Sequence, residues 1–329
     1  MNPAPNGSKA SAIAYPIQGL VKYHGLKDPV RRIPYHDSIS LCTGPIHTHT
    51  TVEVLPMGQE CNTRIDGRHV TGRPLERINV VMDALREKAG DERPFRMESR
   101  NDFPQYVGLG SSSSGFAALA VAAAQAYGLR LNPAELSELA RLGAGSASRA
   151  VTGGISEWVV EGARSYSRLL LGPEDLADWR IVVPLVQHEE PTENVHAEVV
   201  SSPFFAARNA YVGDALRAMR SALATRDVRQ IAPIAERDTL NLHAVTMTAA
   251  SGHITWMPAT LEVMHRVRRL RAIGVPVWFS IDTGATAYVN TDAAHETQVA
   301  KAMEGIAGVS RLLHLRPAGP ARLVGEHLF

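Results

Sequence analysis

Residues 108–127 read GLGSSSSGFAALAVAAAQAY. A Gly/Ser loop here opens straight into an Ala-rich helix. Helix N-termini present unpaired N–H groups and a partial positive charge, so they bind phosphate. Gly108, Gly110 and Gly115 let the backbone approach an anion, and Ser111, Ser112, Ser113 and Ser114 add hydroxyls. No Gly-Lys-Ser/Thr closes the loop, which separates it from a Walker A motif. A serine run also suits a flexible linker, but a linker should not lead directly into a helix.

Outward from this loop the chain alternates strands and helices. Residues 12–22, 46–55 and 96–103 read as strands, and Thr48, Thr50, Val52 and Val54 share one face with period two. The stretch 64–68 (RIDGR) has hairpin-turn composition, and 75–89 puts Leu75, Ile78, Val81, Met82 and Leu85 on one helical stripe. Asn132, Pro133 and Glu135 start a further helix with a capping box. A short helix begins near Ser146, and strands follow at 155–160, 166–171 and 180–187. The remainder reads as helices at 203–224, 227–244, 259–273 and 293–306, with strands at 276–282, 286–291 and 309–316. The pattern is α+β. We expect a loose tail over 1–11, an N-terminal lobe over 12–175 and a C-terminal lobe over 176–329.

Composition limits the function. The 329 residues are 45% hydrophobic and 20% charged, enough for one large or two ordinary domains and unlike a disordered chain. Lys+Arg at 34 against Asp+Glu at 33 gives +1, a balance that favours neither nucleic acid nor a membrane surface. Two cysteines, Cys42 and Cys61, fit a reducing cytoplasm better than a disulfide-stapled fold. No apolar run reaches the ~20 residues that span a bilayer.

Three further constellations carry chemistry. Ser146, Ser148 and Arg149 follow Gly143-Ala-Gly145 at a helix start. They suit a carboxylate or phosphate held in a guanidinium fork, or a helix break followed by a surface arginine. Asp282 ends an apolar strand at Asp282-Thr-Gly284, as a site carboxylate or as a turn residue. Lys22, in Lys22-Tyr23-His24-Gly25, either snorkels or pairs with an anion. His47 and His49 alternate on a strand but lack a third ligand at metal-site spacing. Arg266, Arg268, Arg269 and Arg271 form a basic cluster, read as a solvated face or an RNA contact. His243 reads as a core or boundary histidine.

Taken in order, these stretches resemble the GHMP small-molecule kinase superfamily and, within it, the mevalonate diphosphate decarboxylase branch. Residues 103–117 resemble FP-x-x-x-GL-A-S-S-A-A-GFA, residues 139–158 resemble ARxGSGSACRSxxGGxxEW, residues 22–25 resemble KYWGK, residues 281–285 resemble FDAGPNA, and residues 240–249 resemble x-x-x-FHAxxxxT. The resemblance implies the GHMP kinase fold, with a ribosomal-protein-S5-domain-2-like N-terminal lobe and a ferredoxin-like C-terminal α/β sandwich. It implies that ATP with Mg2+ phosphorylates a tertiary hydroxyl, and that the new phosphate leaves as the carboxylate is lost. Asp282, Lys22 and Arg149 map onto the family's catalytic set. Asp282 would take the hydroxyl proton, Lys22 would keep that carboxylate ionised, and Arg149 would fork the substrate carboxylate. The 108–115 loop would hold ATP, with Ser112 on the metal and Arg77 toward the adenine. Tyr23, His24, Ser146, Ser148 and His196 would hold the substrate. A cytoplasmic homodimer without nucleic-acid or membrane partners is implied as well.

The departures concern the far end of the substrate. Leu26 replaces the second lysine of KYWGK, His24 its Trp, Ala144 the first serine of GSGSA, and His36 the Asn of P-x-N-x-S-L-S. The SS-x-x-GM stretch reads PTENVH over 191–196, and Glu189, Glu190 and Glu193 add negative charge. Fewer donors and more carboxylates point the resemblance toward the phosphomevalonate decarboxylases. They turn (R)-5-phosphomevalonate into isopentenyl phosphate, with ADP, phosphate and carbon dioxide. The alternatives are a 5-diphosphate decarboxylase, a mevalonate 3-kinase that stops after phosphorylation, and a nucleic-acid-binding module. The 3-kinase branch lacks both the Lys and the Asp that stand here.

Overall fold

The computed structural model describes residues 7–104, 108–162, 164–186 and 195–329. Its first part runs β1 (Lys9–Ala14), β2 (Ile17–Val21), β3 (Leu26–Asp28), β4 (Ile33–Pro34), β5 (Ser38–Gly44), β6 (Thr48–Val54), β7 (Asn62–Ile65), β8 (Arg68–His69), α1 (Gly72–Ala89) and β9 (Phe95–Asn101). Then come α2 (Ser111–Ala126), α3 (Pro133–Gly143), α4 (Ala147–Thr152), β10 (Ile155–Glu161), β11 (Arg164–Leu171), β12 (Trp179–Val186) and the one-turn α5 (Val195–Glu198). The last part is α6 (Phe205–Leu223), α7 (Val228–Met247), α8 (Pro258–Ala272), β13 (Val277–Ile281), β14 (Ala287–Asp292), α9 (Glu296–Met303), β15 (Val309–Pro317) and β16 (Arg322–Val324).

Two sheets organise the chain. One has the order β16-β1-β6-β9-β7-β8. The other runs β11-β10-β5-β15-β12-β14-β13, with β2 also on β5. The second sheet draws strands from both halves of the sequence, joined where β15 pairs with β5 at Arg316↔Gly44 and Pro317↔Thr43. Helices α1 to α4 cover the first sheet around one apolar core, α6 and α7 pack on the second around another, and α8 and α9 close a third core against β12 to β14.

Local chemistry explains the elements. Helix α2 is apolar on nearly every side, with Phe116, Leu119, Val121 and its alanines buried. Such a helix belongs inside a protein, and alanines let β1, β6, α3 and α4 approach it closely. The capping box at Asn132 and Glu135 forms as expected. Asp66 and Gly67 take positive φ at 49° and 77°, the twist that a two-residue hairpin between β7 and β8 needs.

Three expectations change. The single strand over 12–22 is two strands in different sheets, because Pro16 lacks an N–H and has a fixed φ. Lys9, Ala10 and Ser11, placed in the tail 1–11, belong to β1 and pair with β6. Residues 322–324, placed in the C-terminal lobe, return as edge strand β16 on β1. Phe329 follows them, 3.8 Å under the Arg96 guanidinium.

Gly153 makes that return possible. Its φ is +76°, and a Cβ there would lie 2.2 Å from Pro320 N and 2.3 Å from the Gly319 carbonyl carbon. Gly153→Ala is therefore expected to destabilise the fold by more than about 2 kcal/mol. Thermal unfolding measures this, and an unchanged Tm would contradict the close passage of 319–320 over Gly153.

Candidate active site

Strand β2 ends just before Lys22, β13 ends just before Asp282, and α7 packs against both strands. The backbone of Gly19 stands between the two side chains. Its N–H donates to Asp282 Oδ1 at 3.0 Å and to Oδ2 at 3.3 Å. Its carbonyl accepts from Lys22 Nζ at 2.9 Å and from Ser280 Oγ at 2.9 Å. Lys22 Nζ also donates to Thr239 Oγ1 at 3.0 Å and to Ser280 Oγ at 2.9 Å. A Cβ on residue 19 would fall 2.7 Å from Lys22 Cγ and 2.9 Å from Asp282 Oδ1, so the arrangement requires glycine.

A buried ion pair fixes the main chain of Lys22. Its N–H donates to Asp238 Oδ2 at 2.8 Å, and its carbonyl accepts from Arg208 Nη2 at 2.6 Å. Arg208 and Asp238 are fully buried and paired at 3.3 Å, and Asn241 takes another guanidinium hydrogen at 2.7 Å. Removing either partner would strand a buried charge, at about 3–5 kcal/mol.

Burial governs the ionisation of the centre. It pulls the Lys22 ammonium below its ordinary value, against the charges of Asp282 and Asp238. It lifts the Asp282 carboxyl above the ordinary value, against Lys22, the Gly19 N–H and Arg149. The charge of Lys22 acts toward the ionised carboxylate, while desolvation is the larger effect and acts the other way. The lysine also engages three oxygens of its own.

Arg149, on α4, faces this centre across a cavity of about 150 Å3. Its guanidinium donates to Ser38 Oγ and lies 5.5 Å from the Tyr23 ring and 5.3 Å from Trp158. Burial lowers it to about 10, so it stays a cation at neutral pH. Among the described residues, Arg149 Nε and Ser40 Oγ are buried without a hydrogen-bond partner, and both residues line the cavity. Unsatisfied donors beside a cavity are what a carboxylate or phosphate ligand would complete.

The cavity gathers Lys22, Tyr23, Gly108, Gly110, Ser146, Arg149, His196 and Asp282 from the expected set. Other expected residues are placed differently. On the first turn of α2 Ser112 is exposed and Ser111 half-buried, and Gly115 is partly buried one turn on. Ser113 is buried and donates to Gly110 O at 2.6 Å, while Ser114 shares a 2.6 Å hydrogen bond with Thr48. The run is helical, so rotation about the axis sends these hydroxyls inward and away from the cavity. Ser148 is buried and donates to Gly145 O at 2.8 Å. His24 is buried behind His196. Arg77 donates to Gly143 O at 2.8 Å and lies 4.9 Å over Phe116, apart from the cavity wall. Glu189, Glu190 and Glu193 lie outside the described residues.

His47 pairs with Asp102 at 3.0 Å, and His49 bonds Glu326 O at 3.1 Å, so the strand histidines do not converge on a shared ligand. Arg266 and Arg269 both pair with Glu262, and Arg271 pairs with Glu236. His243 is buried under the centre, its ring 4.8 Å from that of Trp256, and burial takes it down to about 3. Sequence reasoning missed Gly19, Ser40, Arg208, Asp238, Thr239 and Ser280. The one available signal was a lysine closing an apolar strand, since a buried ammonium needs acceptors.

Three-dimensional comparison places this architecture. A mevalonate diphosphate decarboxylase from Staphylococcus aureus superposes with TM-score 0.91 at 26% identity, covering 96% of this chain and 98% of that one. The enzyme from Enterococcus faecalis follows at TM-score 0.89 and 26% identity, over 96% and 98%. The fold is that of the GHMP kinases. In sequence, residues 14–168 match the diphosphomevalonate decarboxylase-like N-terminal domain. A phosphomevalonate decarboxylase of Haloferax volcanii is 46% identical over 300 residues, 90% of this chain and 92% of that protein. The chain belongs to the mevalonate phosphate decarboxylase family.

Two outcomes test the geometry. Gly19→Ala is expected to lower kcat at least about a hundredfold by parting Asp282 from Lys22, with overall secondary structure retained. Wild-type turnover in that variant would contradict the bridge. The second outcome concerns acid. Burial depresses His24, His36 and His196, the last two to about 4, and takes His243 to about 3. The unfolded chain therefore binds more protons below about 6.5, and stability is lost as pH falls from there toward 4. Asp282, with its raised value, opposes this as a single group. A Tm at pH 5 equal to that at pH 7.5 would contradict the neutral buried histidines.

Proposed function

We propose that this cavity performs the ATP-dependent decarboxylation of (R)-5-phosphomevalonate to isopentenyl phosphate, releasing ADP, phosphate and carbon dioxide. The observation that carries the reading is Asp282 and Lys22, joined through Gly19, facing Arg149 across one cavity. Asp282 accepts the hydrogen bond of the substrate's tertiary hydroxyl. The hydroxyl oxygen attacks the γ-phosphorus of ATP, the bond to the β-phosphate oxygen breaks, and the proton passes to Asp282. Phosphoryl transfer of this kind depends on positioning and charge neutralisation more than on a strong base. The C–O bond to the new phosphate then breaks, and phosphate leaves with the electron pair. Electrons of the carboxylate C–C bond form the double bond as carbon dioxide departs. Arg149 holds that carboxylate in line, and Lys22 offsets the charge around Asp282.

Gly108, Gly110 and the first turn of α2 supply N–H groups for the nucleotide phosphates. The described residues hold no group of three or more His, Cys, Asp and Glu that would cage a metal. Mg2+ commonly binds through substrate phosphates and one or two protein groups, which fits the exposed Ser112 hydroxyl at that turn. Bound there, it would neutralise β- and γ-phosphate charge. In support of the nucleotide, one related structure carries MVAPP, AMPPCP and magnesium together.

Two observations favour the 5-phosphate over the 5-diphosphate. The Haloferax volcanii relative bears the name of the monophosphate enzyme. In addition, His24 and His36 are neutral where burial holds them, so they bring no positive charge to a longer anion. We also place the enzyme in the cytoplasm as a homodimer. Its two cysteines are free thiols, and no helix among the described residues is long and apolar enough to cross a membrane.

Measuring kcat/KM for the 5-phosphate and the 5-diphosphate side by side tests the substrate. At least about tenfold preference for the 5-phosphate is expected, a difference of about 1.4 kcal/mol, and the opposite preference would overturn the choice. Asp282→Asn is expected to cut turnover by about 10³ or more while ATP still binds. Near-normal turnover would remove Asp282 from the mechanism.

A further inference from the structure

Resting on the reading of Arg149 as the group that holds the substrate carboxylate, we propose that Trp158 is a positioning residue for carbon dioxide loss. Its ring steadies the Arg149 guanidinium in place of a counter-ion and leaves the N–H fork for the substrate. Arg149 is buried, yet among the described residues no carboxylate pairs with it. Two rings stand there instead. The guanidinium carbon lies over the Trp158 ring at 5.3 Å and over the Tyr23 ring at 5.5 Å. The rings meet edge to face, 5.0 Å apart at 77°, and form a corner. An aromatic face attracts a cation through its quadrupole and takes none of its hydrogens. A carboxylate partner would occupy the fork. Here Ser38 Oγ accepts one hydrogen, and Nε is buried without a partner.

The sheet fixes this corner. Strand β10 pairs with β5 so that Trp158 stands opposite Ser38 and Ser156 opposite Ser40. Alternation along a strand turns residues 156 and 158 to one face, and cross-strand partners share that face. The face meets Arg149 at three points. Ser156 Oγ donates to its carbonyl at 3.3 Å, Ser38 Oγ accepts from its guanidinium, and the indole faces that guanidinium. The indole is itself held. It is fully buried, and its Nε1 donates to Ser165 Oγ on β11 at 2.8 Å. Gly145 packs on its far edge, where a Cβ would lie 2.8 Å from Trp158 Cη2 and 3.4 Å from Tyr23 Cζ. One rigid ring therefore touches the Arg149 guanidinium, Tyr23 and the turn that carries Ser146 into the cavity wall.

The two steps of the reaction make different demands on this corner. Phosphoryl transfer takes place at Asp282 and the nucleotide phosphates. Carbon dioxide loss takes place at the carboxylate that Arg149 holds in line. A guanidinium without its aromatic corner therefore impairs the second step more than the first.

Rapid-quench single turnovers, with enzyme in excess over ATP and 5-phosphomevalonate saturating, test this by following ADP and carbon dioxide separately. In Trp158→Leu carbon dioxide release is expected to slow at least about tenfold, with ADP formation changed less than about threefold. Trp158→Phe, which restores an aromatic face on a side chain smaller than tryptophan, is expected to bring carbon dioxide release back to within about threefold of the wild type. An unfolded fraction lowers both signals together and leaves their ratio unchanged, which separates positioning from stability. Ser165→Ala, which removes only the anchor of the indole, carries the test where Trp158→Leu does not fold. Carbon dioxide release is then expected to slow about threefold with ADP formation unchanged. Equal slowing of both steps in Trp158→Leu, the same carbon dioxide rate in the Leu and Phe variants, or an unaffected rate in Ser165→Ala would each overturn the proposal. Any of these, with carbon dioxide still released by the wild type, sinks this inference alone. No carbon dioxide from 5-phosphomevalonate with the wild type sinks the functional reading and this inference with it.

Discussion

The site depends on the backbone of Gly19, which donates to Asp282 and accepts from Lys22. Two opposite charges brought out of water would otherwise close on each other as an ion pair. Here each is satisfied by main-chain and hydroxyl groups instead, so the carboxylate keeps capacity for a substrate hydroxyl. Burial raises Asp282 and lowers Lys22, bringing the two ionisations toward each other. Shifts of this kind, with desolvation and a charged partner acting together, mark groups in a functional site.

That bridge is assembled from distant parts of the chain. Gly19 and Lys22 come from β2, Ser280 and Asp282 from the end of β13, and Thr239 and Asp238 from α7. Arg208, on α6, ties Asp238 to the Lys22 carbonyl. The sheet shared by both halves, continuous through β5 and β15, holds these elements in register. A catalytic group displaced by even 1 Å loses much of its effect, so a rigid shared sheet suits a site built from both halves.

The sequence made some of this visible. The 108–127 stretch announced a buried helix behind a Gly/Ser turn that borders the cavity, and Lys22, Arg149 and Asp282 all line that cavity. Hydroxyl direction was not visible. Ser113, Ser114 and Ser148 turn onto neighbouring backbone or a threonine because of helix rotation, which composition does not encode. Nor were the supports of Lys22 visible, since Thr239 and Ser280 lie 217 and 258 residues away and have ordinary local sequence. The three-residue β16 is too short to show a period, and the break at Pro16 was readable only as a pause within one strand.

The central claim is that Asp282, Lys22 and Arg149 couple phosphoryl transfer to loss of the carboxylate within one cavity. A single-turnover experiment with ATP and 5-phosphomevalonate, quantifying ADP and carbon dioxide together, tests it most directly. The expected result is one carbon dioxide for each ADP, formed without accumulation of a stable 3-phosphorylated product. ADP formed without carbon dioxide would contradict the account and leave a kinase in its place.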